Sequence, residues 1–194
     1  FTAFSLIASD QAIKDSKINL ETIDQSRSGV IIGSGIGGML TFEEQHSRLL
    51  KSPRRVSPFF IPAMIPDIAS GYVSLKYGFK GVNYAVVSAC ASSSHSIGDA
   101  FRNIKHGYSD IIIAGGAEAG ITPMAIAGFS NMKALTKNTD YNSSSKPFDL
   151  NRSGFVIGEG AGILILESLE HALKRKAKIY AEIKGFGASA DAHH

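Results

Sequence analysis

Tyr84-Ala-Val-Val-Ser-Ala-Cys-Ala-Ser-Ser-Ser-His95 is the stretch on which the reading of this chain turns. An apolar run stops at Cys90, small residues follow, and a helix-like segment continues over 95–105. The pattern predicts a strand over 83–89, a corner at the cysteine, and a helix ending at His106-Gly107. A thiol on such a corner lies at the positive end of a helix dipole, which favours the nucleophilic thiolate. A lone cysteine is more often an inert core residue. The corner, and the glycine-rich segments around it, shift the weight to chemistry.

Outward from the corner, the same grammar repeats. Residues 28–34 and 110–118 are short, fully apolar runs that end in glycines, as buried strands do. Residues 179–187 alternate at Tyr180, Glu182 and Lys184 and predict a final strand. Helical patterns cover 4–15, 39–50, the stretch through Ile68, Tyr72 and Leu75, and 169–175. Residues 126–135 read as a loop with short helical character. Residues 136–146, rich in Asn and Ser, read as an exposed loop. Residues 155–166 are apolar with interspersed glycines. Apolar strands separated by helices predict an α/β fold, its mixed or parallel sheet covered on both faces.

Composition narrows the function classes. The 194 residues are 44% hydrophobic and 19% charged, which is the balance of a globular chain with a real core. One cysteine excludes an internal disulfide framework and a cysteine-based zinc site, and suits a reducing compartment. The net charge is +3, and the longest basic cluster is Lys174-Arg175-Lys176, so nucleic acid is not an expected partner. No apolar stretch approaches the ~20 residues of a membrane span. No signal or transit peptide is visible.

Other motifs compete with the cysteine. Gly33-Ser-Gly-Ile-Gly-Gly38 follows a strand, precedes a helix and fits the dinucleotide fingerprint G-x-G-x-x-G. The acidic residue expected ~20 positions later is missing; Lys51-Ser-Pro-Arg-Arg55 stands there, and Arg54 and Arg55 would suit a 2′-phosphate. An NADP-binding oxidoreductase is therefore the alternative reading. No G-x-S-x-G elbow supports a serine nucleophile. Glu159, between glycines, reads equally as a buried structural carboxylate or a site residue.

Four segments together carry a resemblance. Val87-Ser-Ala-Cys-Ala-Ser-Ser-Ser-His95, Ile113-Ala-Gly-Gly-Ala-Glu118, Pro147-Phe-Asp-x-x-Arg-x-Gly-Phe-Val-Ile-Gly-Glu-Gly-Ala-Gly162 and Ala181-Glu-Ile-Lys-Gly-Phe-Gly187 resemble the beta-ketoacyl-acyl-carrier-protein synthases, elongating type II with type I next. The match runs from Phe4 to His194. The resemblance implies a thiolase-like fold, layered α-β-α-β-α in the full enzyme, and a homodimer. Residues 1–194 read as an incomplete N-terminal domain, short of its extreme N-terminus and of the C-terminal half.

The implied activity is acyl transfer: a decarboxylative Claisen condensation in fatty-acid elongation, between an acyl group on the cysteine and malonyl-acyl-carrier protein. Cys90 matches the nucleophile. Ile36 and Phe129 match the acyl channel, and Phe60 a residue that closes the pocket from the partner subunit. Arg54, Arg55 and Lys133 match the positive mouth that meets the acidic carrier protein. His95 matches a structural position on the helix. The two catalytic histidines and a supporting lysine belong to the C-terminal half, so His193 and His194 receive no role. No cofactor or metal is expected, since substrates ride on the carrier's phosphopantetheine. Bacterial cytoplasm and a plastid-type organelle both fit. A chain-length factor, the non-catalytic partner of such synthases, usually lacks the cysteine that is present here.

Overall fold

The computed structural model describes residues 1–193; His194 lies outside them. Helix α1 (Thr2–Ser16) leads through a 3₁₀ turn into strand β1 (Ser28–Gly33), followed by α2 (Met39–Leu49), α3 (Phe60–Met64), α4 (Ile68–Tyr77) and the short strand β2 (Asn83–Tyr84). Helix α5 (Ser92–Lys105), strand β3 (Ile111–Ala119), α6 (Pro123–Asn131), α7 (Tyr141–Ser144), strand β4 (Glu159–Glu167) and α8 (Leu169–Lys174) complete the order. The residues fall into two units. The first holds 1–36, 65–118 and 160 onward; the second holds 37–64 and 119–159. No helix among the described residues is long and apolar enough to cross a membrane.

The first unit is built on a four-stranded sheet in the order β2-β1-β3-β4. β1 runs parallel to both β2 and β3, with Val30 beside Asn83 and Ile113. Every residue of β1 is buried, and so are the first seven of β3. Period-two alternation sends their side chains to opposite faces. Val30, Ile32, Ile111 and Ile113 join Ala69, Val73 and Tyr77 of α4 on one face, with Leu6 and Ile13 of α1 packed against them. Ile31, Ile112 and Ala114 join Ala100 on the other, with Ile97, Phe101 and Ile104 of α5. The sheet is thus covered on both faces, as the uninterrupted apolar strands predict.

Buried polar groups lock this frame. Ser70 Oγ accepts the Ile32 N–H at 3.0 Å and donates to the Tyr84 carbonyl at 2.9 Å. Arg27 makes a two-pronged pair with Asp110, both contacts 2.7 Å, where β1 and β3 begin. The guanidinium hydrogen bond holds the Asp110 carboxyl below its ordinary range.

Three elements differ from expectation. The strand over 83–89 contracts to Asn83–Tyr84, because the Ala85 N–H turns away to Asp67 Oδ1 at 3.1 Å. The loop expected over 126–135 begins as a helix at Pro123, capped by Thr122, whose Oγ1 accepts the Ala125 N–H at 3.3 Å. The final strand over 179–187 does not form. Its Phe186 ring instead lies on α5, edge-on to His95 with centroids 5.9 Å apart and 4.9 Å beneath the Arg102 guanidinium.

The second unit contains α2, α3, α6 and α7. Phe42 of α2 meets Phe60 of α3 at 6.3 Å. A parallel bridge between Leu135 and Phe155 closes the polar segment 136–154. That segment is mostly exposed, as its composition predicts, and carries the single turn of α7, where Asp140 Oδ1 accepts the Asn142 N–H at 3.2 Å.

Candidate active site

Cys90 is the middle residue of a 3₁₀ turn, Ala89–Ala91, that runs straight into α5. Its side chain is exposed on this chain, unlike that of an inert core cysteine. Ala89, just before it, has φ of +50°, a conformation that costs a non-glycine residue energy and that clusters at functional sites. The turn is held by its own serines. Ser88 N–H donates to Ser92 Oγ at 2.9 Å, and Ser92 Oγ donates to the Ala89 carbonyl at 2.7 Å. Ser88 Oγ and His95 Nδ1 lie 2.7 Å apart. His95 is therefore a brace one helical turn beyond the thiol, the structural role expected of it. Below the corner, burial pushes the Tyr84 phenol above its ordinary pKa, and the Asp99 charge adds to that.

Glycines let the two central strands run up against this corner. A Cβ on Gly33 would sit 2.6 Å from the Ser92 backbone, and one on Gly116 would sit 2.7 Å from Ser93 Cβ. Neither position has room for a side chain. The first turn of α5 therefore rests directly on the ends of β1 and β3.

The loop after β1 is held by a carboxylate that sequence reasoning did not single out. Glu118 Oε2 accepts the Gly35 N–H at 2.7 Å and the Ile36 N–H at 3.1 Å, and Oε1 accepts the Ser34 hydroxyl at 3.0 Å. The signal was present: an acidic residue ending an otherwise apolar strand needs donors nearby. This arrangement removes the dinucleotide reading. The N–H groups that would cradle a pyrophosphate are taken by an internal anion, which would repel a second one. The glycines have packing roles instead. A Cβ on Gly35 would meet Glu118 Oε2 at 2.9 Å, and one on Gly38, within the second unit, would meet the Ala63 carbonyl at 2.7 Å.

The other expected site residues divide between the units. Ile36, half-buried, shares the first unit with Cys90. Phe60, Phe129, Arg54, Arg55 and Lys133 belong to the second. Phe129 is half-buried and packs edge-on to Phe155 at 5.3 Å. Arg54 and Arg55 are exposed on the turn Pro53–Arg55, and Lys133 is exposed at φ +57° just past α6. Glu159 accepts the Ile121 N–H at 2.8 Å, which favours its structural reading.

The α/β fold, with its cysteine corner on the central strands, is of thiolase-like type, and the comparisons give its family. The family model "Beta-ketoacyl synthase, N-terminal domain" matches residues 1–172, and the chain belongs to that family. It is 53% identical over 195 residues to 3-oxoacyl-[acyl-carrier-protein] synthase 2 of Staphylococcus aureus, covering all of this chain and 48% of that protein. It is 48% identical over 200 residues to the mitochondrial 3-oxoacyl-[acyl-carrier-protein] synthase of Arabidopsis thaliana, covering 43% of that one. Among solved structures it superposes on a type II PKS acyl-carrier protein in complex with its ketosynthase, with TM-score 0.95, 34% identity, and coverage of all of this chain and 50% of that one. A beta-ketoacyl synthase from Burkholderia phymatum matches all of this chain and 48% of its own, with TM-score 0.89 and 36% identity. The chain thus spans about half the length of the relatives it matches.

Proposed function

We propose that this chain is the nucleophile-bearing half of a beta-ketoacyl-acyl-carrier-protein synthase that elongates fatty acids. The exposed Cys90 on a strained turn, seated directly on the N-terminus of α5, carries the reading. In the first step the Cys90 thiolate attacks the thioester carbonyl of an acyl-carrier protein. A new S–C bond forms, and the carrier's phosphopantetheine thiolate leaves and takes up a proton. In the second, malonyl-carrier protein loses carbon dioxide, and the resulting carbanion attacks the Cys90 thioester. The Cys90 thiolate leaves, and the product is a 3-oxoacyl chain two carbons longer. The Cys90 N–H, near the N-terminus of α5, serves as one arm of the oxyanion hole in each tetrahedral state.

By the family resemblance Ile36 and Phe129 each match a position that lines the acyl channel, where each buried methylene contributes ~0.8 kcal/mol. Phe60 closes it across a homodimer. Arg54, Arg55 and Lys133 draw in the acidic carrier protein, and among the described residues none of the three forms an ion pair within the chain. No bound cofactor enters either step. The setting is a reducing aqueous compartment, the bacterial cytoplasm or an organelle.

The test is an intact mass spectrum of the full protein before and after exposure to long-chain acyl-carrier protein. A gain of one acyl group localised to Cys90 is expected, and Cys90→Ala should lose both this adduct and condensation by at least ~10³-fold. Condensation surviving in Cys90→Ala would end the mechanism.

A further inference from the structure

The Glu118 carboxylate holds more than its own loop. Alternation along β3 puts Ala114, Gly116 and Glu118 on one face, the face that carries α5. Gly116 lets that strand end come within contact of the first turn of α5, so Glu118 starts from a fixed base. Its two oxygens then take three donors in a row: the Ser34 hydroxyl and the N–H groups of Gly35 and Ile36. The loop so held is the one that approaches the nucleophile. The Cβ position of Gly35 lies 3.3 Å from the carbonyl of Ala89, the strained residue before Cys90. Ile36 is the next residue along, and it is half-buried.

We propose that Glu118 is a positioning residue that fixes the Ser34–Ile36 loop beside Cys90 and thereby sets which acyl chain lengths the nucleophile accepts. This rests on the synthase reading above, in which Ile36 forms part of the channel wall. Without the carboxylate, three donors in a half-buried loop would turn to water or to new partners, and Ile36 would move with them. The thiol itself would be untouched, because its turn is held separately by Ser88, Ser92 and His95. Glu118 therefore acts on the fit of the chain and not on the intrinsic reactivity of the cysteine. Glutamine is the informative substitute. Its carbonyl oxygen can accept both N–H groups and its amide can donate to the Ser34 hydroxyl, so it preserves the loop without the charge.

The experiment uses the full protein and compares the rate of Cys90 acylation from butyryl- and palmitoyl-carrier protein by intact mass. Alkylation of Cys90 by iodoacetamide and thermal unfolding are measured alongside. The palmitoyl-to-butyryl ratio should change by ~10-fold or more in Glu118→Ala, with iodoacetamide reactivity within about twofold of wild type. Glu118→Gln should keep the wild-type ratio within about twofold. Should Glu118→Ala fail to fold, Glu118→Asp decides, since its carboxylate falls short by one methylene and should shift the ratio in the same direction. An unchanged ratio in a folded Glu118→Ala or Glu118→Asp overturns the proposal while leaving the synthase reading intact. So does a Glu118→Gln ratio shifted as far as that of Glu118→Ala. A wild-type protein that takes up neither acyl group overturns the synthase reading, and this inference with it.

Discussion

Strand β3 and the segment 179–187 both read as strands in the sequence and have opposite fates. Both are rich in β-branched and apolar residues, Ile-Ile-Ile at 111–113 and Ile179, Tyr180 and Ile183 in the later segment. β3 lies inside the sheet between β1 and β4, and its isoleucines are 0–1% exposed. The later segment forms no strand, and Ile179, Tyr180 and Ile183 are 48%, 68% and 37% exposed. Propensity is a fit to a pleated, flanked surface and not a property of the segment alone. β3 has neighbours on both edges and helices on both faces. The segment 179–187 is attached by side chains instead: the Tyr180 hydroxyl donates to the Asp15 carboxylate of α1 at 3.0–3.1 Å, and Phe186 lies on α5.

The comparison breaks most sharply if alanine is placed where β3 has no room for it. Gly115 has φ of +155°, and a Cβ there would lie 2.0 Å from the Gly162 carbonyl of β4. Gly115→Ala combines backbone strain with overpacking against rigid backbone, and should cost about 3–5 kcal/mol. Urea unfolding of the full protein should show that loss, or the variant should fail to accumulate as folded protein. A denaturation midpoint equal to wild type would mean that the β3–β4 contact is far looser than it looks.

This asymmetry explains what could be read before the structure was known. The strands 28–34 and 110–118 were legible because complete burial leaves a continuous apolar run, which few other elements share. Cys90 was legible because small residues and a helix pattern follow an apolar run within a few positions. The helix at Pro123 was legible in principle from Thr122-Pro123, an N-cap followed by proline at N1. Glu118 was missed because its partners are remote. Its need for donors was visible in an acidic residue at the end of an apolar strand, but the donors themselves lie 82–84 positions away in the chain, and no local pattern identifies them. The false strand over 179–187 is the converse case, in which local alternation is real but no partner is supplied among the described residues.

A smaller effect separates the end of the sheet from the segment that follows it. Glu167, the last residue of β4, has a side chain only 8% exposed. It accepts Arg175 Nε and Nη2, both at 2.6 Å, and pairs with His171 Nδ1, while Arg175 Nη1 reaches the Ser16 carbonyl at 2.7 Å. Burial pulls the Glu167 carboxyl up, but the Arg175 and His171 hydrogen bonds and charges outweigh it and hold the group below its ordinary value of 4.5. A lowered folded-state pKa means the stabilisation is complete above that value and is lost as pH falls below it. Unfolding free energy measured from neutral pH down to about pH 3.5 should therefore fall more steeply in wild type than in Glu167→Gln. The variant should also be weaker at neutral pH by about 2–3 kcal/mol. Parallel pH curves for the two proteins would remove Glu167 as a source of acid sensitivity.

The smallest expected effect tests the Phe186 attachment of the later segment. A Cβ on Gly98 would fall 2.4 Å from the Phe186 ring, which is a side chain able to move and not a fixed backbone atom. Gly98→Ala should therefore displace the ring from α5 and forfeit part of its burial, about 1 kcal/mol, while the sheet stays intact. Phe186→Ala should cost a similar amount, and the double variant should cost little more than either alone, because both remove the same contact. Gly185→Ala is the control: nothing lies within 4 Å of its Cβ position, and its stability should stay within ±0.5 kcal/mol of wild type. Amide exchange over 179–187 reads the effect directly, rising in Gly98→Ala and Phe186→Ala but not in Gly185→Ala. Fully additive losses would mean that the ring and the glycine act at separate places. The 186 end of the segment would then be held to α5 by something other than the packing of the Phe186 ring over Gly98.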